Sequence, residues 1–337
     1  MRKRLIVTVL AAGLCIAVCA HADDTAVAVA MGGLVAKREP RIAMSKEVLT
    51  IGLKQVAVQY EFRNDTDQNI TTEVAFPIPS YGDGPTMDGR EDARFDDFKL
   101  TIEGKPVSFQ IQAKAFLGKE DVTELLRRDH IDMLSFGHMD EKNSICRDIR
   151  HLPKAEQKRL IDMGLVQQDS YSDMALWTVE KKYYWSQTFP AHSIVHIAHT
   201  YTPAIGFMQI EGKIYDTLLH HQESTLADYQ KWDAGILLSL CPDSGVLKSA
   251  ASNALKQPAE GGRYIGLEYV DFILTTANAW KRPIEDFTLI VEKPSKGDLV
   301  SFCWDGAVTK MDATHFVSHV KDFVPSKEVR IGFLLMQ

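Results

Sequence analysis

A mainly-β fold of the α+β class, with two antiparallel β-sandwich-like regions and a helical insertion, is predicted by three features of the sequence. Apolar and polar residues alternate with a period of two along many stretches, as half-buried strands require. Clusters of Gly, Pro, Asn and Asp separate those stretches. Helical spacing is confined to short segments, two of them between residues 117 and 172. The expected organisation is a leader over residues 1–22, an N-terminal β region over 23–116 and the helical insertion over 117–172. A C-terminal β-rich region with short helices follows over 173–337.

Residues 55–79 give the clearest signal. Val56, Val58, Tyr60 and Phe62 alternate with Ala57, Gln59, Glu61 and Arg63. Turn formers run from Asn64 to Asn69, and Ile70, Thr72, Val74 and Phe76 then share one face. Pro77 and Pro79 end the second arm, because proline cannot donate to a sheet ladder. The stretch predicts a β-hairpin. A second hairpin is predicted from Phe98–Ile102, a turn at Glu103–Pro106 and a return through Val107–Ala115. After Leu117, Asp121–Asp129 has the spacing of a short helix. A second helix is predicted after Leu152, with Pro153 in its first turn, Gly164 at its left-handed stop and Leu165 folding back on Leu160. β text returns at Ala175. Trp177, Val179, Tyr183 and Trp185 share a face interrupted by Lys181, and Val195, Ile197, His199 and Tyr201 line the next strand. Ser224 is placed to cap a short helix, and residues 244–256 read as helix. Strands recur at 264–275, 287–292, 299–303, 315–320 and 329–335.

The chain's start has the form of an export signal. Arg2, Lys3 and Arg4 precede an apolar run over residues 5–20, and Ala20-His21-Ala22 fits a cleavage site before Asp23. The run is short for a membrane span, and an uncleaved anchor is the alternative. Neither Cys15 nor Cys19 follows a small residue, so no lipid anchor is expected. The expected location is periplasmic or secreted. The formal net charge is −7, and loss of the three leader cations makes it more negative. That balance argues against a nucleic-acid partner, which calls for a basic patch. Three cysteines lie beyond the leader: Cys146, Cys241 and Cys303. An oxidising compartment permits one disulfide. Cys241–Cys303 is favoured, because both flank strand-like text whereas Cys146 lies in a polar stretch.

Common catalytic and cofactor signatures are missing from the sequence. It contains no His-Glu-x-x-His, Gly-x-Ser-x-Gly or Cys-x-x-Cys, and none of its Gly-Lys pairs opens a phosphate loop. No metal or cofactor is therefore expected. Asp65, Asp67 and Asn69 have the first three spacings of a calcium loop, but Ile70 stands where glycine is needed and Phe76 where glutamate is needed. A looser acidic set is Asp83, Asp88, Glu91 and Asp92. His192 and His196 sit about four strand rises apart, roughly 13 Å, too far for one metal. His199 falls on the apolar face, and His220, His221 and Glu223 form one further donor group. Trp177, Trp185 and Trp280 are candidate binding aromatics, with a sandwich core as the alternative.

Three groups of motifs carry a family resemblance. The first is Phe62-Arg63-Asn64 followed by Val74-Ala75-Phe76-Pro77-Ile78-Pro79. The second is Tyr184-Trp185-Ser186-Gln187-Thr188-Phe189-Pro190, then His199-Thr200-Tyr201-Thr202-Pro203-Ala204-Ile205-Gly206. The third is Asn278-Ala279-Trp280-Lys281-Arg282-Pro283-Ile284 with Phe287-Thr288-Leu289-Ile290-Val291. Together they resemble the exported bacterial family known as domain of unknown function 4424. The resemblance implies export and carries no activity with it. The expected role is binding or assembly without a cofactor, with another envelope protein as the partner and exposed sheet edges as acceptors of a partner strand. The alternative is an exported hydrolase or carbohydrate-active enzyme using paired carboxylates, with Glu268 or Asp271 as one member.

Overall fold

The computed structural model describes residues 25–30, 33–82, 97–134, 149, 152–168, 173–257, 263–281 and 283–336. The expected leader, the acidic set at 83–92 and Cys146 lie outside the described residues. The principal strands, in chain order, are β1 (Thr25–Ala30), β2 (Gly33–Ala36), β3 (Glu39–Gly52), β4 (Val56–Asn64), β5 (Ile70–Pro77), β6 (Lys99–Ile102), β7 (Gln110–Leu117), β8 (Thr178–Phe189), β9 (Ser193–Tyr201), β10 (Gly206–Glu211), β11 (Tyr264–Phe272), β12 (Ile284–Glu292), β13 (Leu299–Ser301), β14 (His315–Phe323) and β15 (Val329–Leu335). The helices are α1 (Thr123–Arg128), α2 (Lys154–Asp162), α3 (Gly212–Leu219), α4 (Asp228–Leu238) and α5 (Ser244–Ala254).

Two large sheets face each other. One runs β7-β8-β5-β1-β2, and the other runs β14-β12-β3-β4-β9-β6. Both take strands from before residue 117 and from after residue 172, so the β regions on either side of the helical insertion share one sandwich. Pairing is antiparallel except beside β3, where β12 and the short strand Trp280–Lys281 run parallel to it. The alternating residues of β4, β5, β8 and β9 turn inward and interdigitate. Phe62 meets Phe189 at 5.7 Å between ring centroids, and Trp185 meets His199 at 5.5 Å. Large side chains buried in this way supply roughly 1.5–3 kcal/mol each, which is why alternation is kept so strictly here.

The first predicted hairpin does not form as a pair of neighbours, and the second pairs only next to its turn. β4 belongs to one sheet and β5 to the other, so residues 64–69 make a corner between sheets. Both arms keep their apolar faces buried, but against each other across the core. Alternation reports which face is buried and not which strand lies alongside. Asn64 builds the corner. Its side-chain amide donates to the carbonyls of Gln68 (2.8 Å) and Phe189 (2.9 Å), and its oxygen accepts from the Thr66 amide at 3.0 Å. In the second case, Glu103 and Gly104 take positive φ (50° and 71°), and Thr101 and Ile102 pair with Pro106 and Lys105. The chain then leaves this sheet, and β7 joins the other one beside β8.

A third sheet, β10-β11-β15-β13, closes one end. Val270, Phe272, Ile331 and Phe333 on one of its faces extend the main core. Ile265, Leu267 and Leu334 on the other face are covered by α3, α4 and α5. The C-terminal strands thus divide between two sheets. Cys241, just beyond α4, is disulfide-bonded to Cys303, just beyond β13, with Cα atoms 5.0 Å apart. Nearby, the Ser301 hydroxyl donates to the Leu240 carbonyl at 2.9 Å, and Leu240 sits where a Cβ on Gly332 would fall. Among the described residues no helix is long and apolar enough to cross a membrane.

Candidate functional site

The helical cap contains a concave surface. α3 forms because Ile214, Tyr215 and Leu218 recur at helical spacing and are buried over the third sheet. α5 presents Leu247, Ala250, Ala251 and Ala254 to the same core and is capped by Asp243, whose carboxylate accepts the Val246 amide at 2.8 Å. Gly212 lies against Ala254 so closely that a Cβ there would come within 2.3 Å of the Ala254 Cβ. Beside this contact opens a cleft of about 520 Å³. Ala251 and Ala254 give it an apolar floor, and exposed Leu255 with Glu211, Lys213, Asp216, Arg263 and Tyr264 gives it a mostly polar rim.

The rim is partly committed to internal contacts. Glu211 accepts from Lys213 (3.0 Å), from the Gln230 amide (2.9 Å) and from the Tyr229 hydroxyl (3.4 Å). The hydrogen bond to Glu211 raises the Lys213 ammonium above its ordinary pKa. Gln230, itself buried, also accepts the Ala227 amide at the start of α4 (3.1 Å), so one side chain ties α4 to the start of α3. Behind the rim, burial and then the charge of Glu211 push the Asp233 carboxyl up, and burial pushes the Tyr215 hydroxyl up. Tyr264 is held by Gln257, whose amide group donates to the Tyr264 carbonyl (2.9 Å) and accepts from its N–H (3.0 Å). Tyr229, Leu255 and Tyr264 are exposed around the opening. An apolar floor with a few fixed polar groups suits reversible capture of a small molecule.

The residues singled out from the sequence fall elsewhere. Trp177, Trp185 and Trp280 are 0%, 4% and 0% exposed, so they are core residues and present no stacking platform. Trp185 packs on His199 and Trp280 on Phe62 and Phe189 between the sheets, while Trp177 is buried just before β8 with its indole N–H donating to the Met133 carbonyl at 3.0 Å. Asp65 pairs with Arg63 (2.8 Å) and Lys281 (3.6 Å), Asp67 with His192 (2.8 Å), and Asn69 accepts the Ala191 amide (3.0 Å). The calcium-like spacing therefore serves the sandwich corner. His196 is exposed beside Glu103, and His199 is buried among Tyr60, Phe76, Phe98 and Trp185. His220 lies 3.5 Å from the carboxylate of Asp216. Among the described residues no group of three or more His, Cys, Asp or Glu is placed to hold a metal ion. Asp271 forms a bidentate pair with Arg330 at 2.6 and 2.9 Å. Glu268 is half-buried, and burial followed by the charge of Asp298 raises its carboxyl pKa.

Sequence reading missed the cleft because it assigned no element between Gly206 and Leu218. The helical spacing of Ile214, Tyr215 and Leu218 was the available signal. The touch between Gly212 and Ala254, 42 positions apart in the numbering, left none.

Comparison with curated proteins gives no significant match. Among solved structures, one similar chain is a candidate nutrient binding protein from Legionella pneumophila. It is 12% identical, the alignment covers 93% of this chain and 70% of that one, and the TM-score is 0.39. Another is yeast LTA4 hydrolase in complex with bestatin, at 9% identity, 87% and 28% coverage, and a TM-score of 0.32. The family model described as Domain of unknown function (DUF4424) matches residues 22–331, nearly the whole chain, and the protein belongs to that family.

Proposed function

We propose that this protein is an exported, cofactor-free binding module of the cell envelope, and that the cleft between α3 and α5 is where it binds. The observation that carries this reading is the cleft itself, with about 520 Å³ of space, an apolar floor and a rim of oriented polar groups. Export is supported by the basic-then-apolar start of the chain. The Cys241–Cys303 bond is in keeping with an oxidising compartment.

The test is capture of the tagged chain from its native envelope fraction after crosslinking, with mass spectrometry of bound small molecules and proteins. The parent is run beside Leu255→Trp, which places a bulky ring at the rim where Leu255 is already exposed. The expected result is one species in near-stoichiometric yield with the parent and its loss with the variant. Recovery of the same species with both chains, or of none with either, overturns the proposal.

One observation favours a second reading as a hydrolase. Glu268 has a raised carboxyl pKa beside a second carboxylate, Asp298, as a general acid requires. Asp271 is engaged by Arg330 and is the weaker candidate. Loss of a glycan- or peptide-cleaving activity in Glu268→Gln, with the melting temperature kept, would establish that reading. An inactive parent chain across such screens removes it.

A further inference from the structure

The charges around the α3–α5 cleft are not equally available to a ligand, and their inequality points to a ligand class. This step rests on the binding reading above. Glu211 is engaged by three donors, and Lys213 is one of them. Neither has its full capacity left for a guest. Arg263 differs. It lines the cleft and is exposed, its backbone carbonyl is fixed by the Gly212 amide at 2.7 Å, and it takes part in no ion pair among the described residues. A guanidinium held at its backbone and open at its tip is suited to a carboxylate, which it can meet with two parallel hydrogen bonds. Asp216 lines the same cleft. Among the described residues its one ionic neighbour is His220, an exposed imidazole 3.5 Å away. A carboxylate so placed has lone pairs left for an ammonium group. Ala251 and Ala254 supply apolar surface on the floor, exposed Leu255 adds to it at the rim, and Tyr264 lines the cleft with its backbone held by Gln257.

We propose that the cleft binds a short zwitterionic peptide with apolar side chains. Its C-terminal carboxylate lies on Arg263, its N-terminal ammonium on Asp216, and its side chains on the floor. Opposite charges on one rim discriminate against simple fatty anions and simple amines, each of which leaves one charged group of the rim without its partner. The apolar floor discriminates against sugars, which would bury hydroxyl groups without partners.

Calorimetric titration of the full mature chain with leucyl-leucine tests this, using N-acetyl-leucyl-leucine and leucyl-leucine amide as companions. The expected outcome is binding of the free dipeptide and a loss of about tenfold or more on blocking either end. Arg263→Gln should reproduce the loss seen with the amide and be insensitive to amidation. Asp216→Asn should do the same for acetylation. Neither substitution should change the melting temperature, which is read alongside. Equal binding of all three peptides, or no effect of either substitution, overturns the assignment of ligand class. So does failure of all three peptides while Leu255→Trp still abolishes capture from the envelope fraction. In that case the cleft remains a binding site for a different ligand. If the dipeptide binds the parent and Leu255→Trp equally well, the cleft is not the site, and both this proposal and the reading it rests on fail.

Discussion

Trp280 shows how much a single residue contributes when three elements converge on it. It follows a short 3₁₀ turn at Thr275–Ala279, is fully buried, and lies 4.8 Å from Phe62 on β4 and 5.8 Å from Phe189 on β8, ring centre to ring centre. It therefore touches both large sheets. Trp280→Ala leaves a cavity that neither sheet can close without breaking its ladder, and a loss of about 3–5 kcal/mol is expected. Chemical denaturation of the parent and variant checks it. An unchanged midpoint would mean that the ring is not part of the core. His199 makes the complementary point, because its position on the apolar face of β9 was readable from alternation, and it is buried among four aromatic side chains. What alternation could not state is which rings would surround it, since Phe76 and Trp185 come from the opposite sheet.

At the scale of elements, local grammar and tertiary contact separate cleanly. α2 was legible down to its stop. Gly164 adopts φ 71°, its amide donates to Ile161 at 2.9 Å, and the Leu165 amide donates to Leu160 at 3.0 Å. Leu160 and Leu165 are both buried, which is the apolar contact such a stop makes. Pro153 stands immediately before the helix as its cap residue. Gly164→Ala should cost about 1 kcal/mol, because a Cβ disfavours positive φ although nothing lies in its way. A fall in melting temperature, with faster exchange of the Leu165 amide, is the expected readout, and an unaltered exchange rate would overturn it. The β4–β5 and β6–β7 connections were misread for a physical reason. A tight pairing and a sheet-to-sheet corner use the same turn residues and the same alternation, and only strands distant in sequence decide between them. The candidate cleft was invisible on the same ground, since its walls meet through Gly212, Ala254 and Arg263, which no periodicity connects.

At the scale of the whole molecule, strands from the early and late parts of the chain lie side by side. β12 lies beside β3, and β3 beside β4, so Arg63 on β4 can reach over β3 to Glu285 on β12. The two side chains are 222 residues apart and meet through two hydrogen bonds, at 2.7 and 2.6 Å, while Arg63 also holds Asp65. The Arg63 guanidinium holds the Glu285 carboxyl below its ordinary value of 4.5, and holds Asp65 below its ordinary value of 3.8. A carboxyl whose pKa is lower in the folded state binds more protons when unfolded. Its contribution is therefore complete above the unfolded value and is lost as pH falls through the folded one. Both groups are partly solvated, so screening limits the Arg63–Glu285 pair to about 1 kcal/mol or less. Glu285→Gln should destabilise the protein near neutral pH, and the gap between variant and parent should narrow as pH falls below 4.5. Denaturation midpoints at neutral pH and at about pH 3 check this linkage. A gap of equal size at both would show that the pair acts through shape and not through charge, and that the seam between β4 and β12 is held by packing around β3 alone.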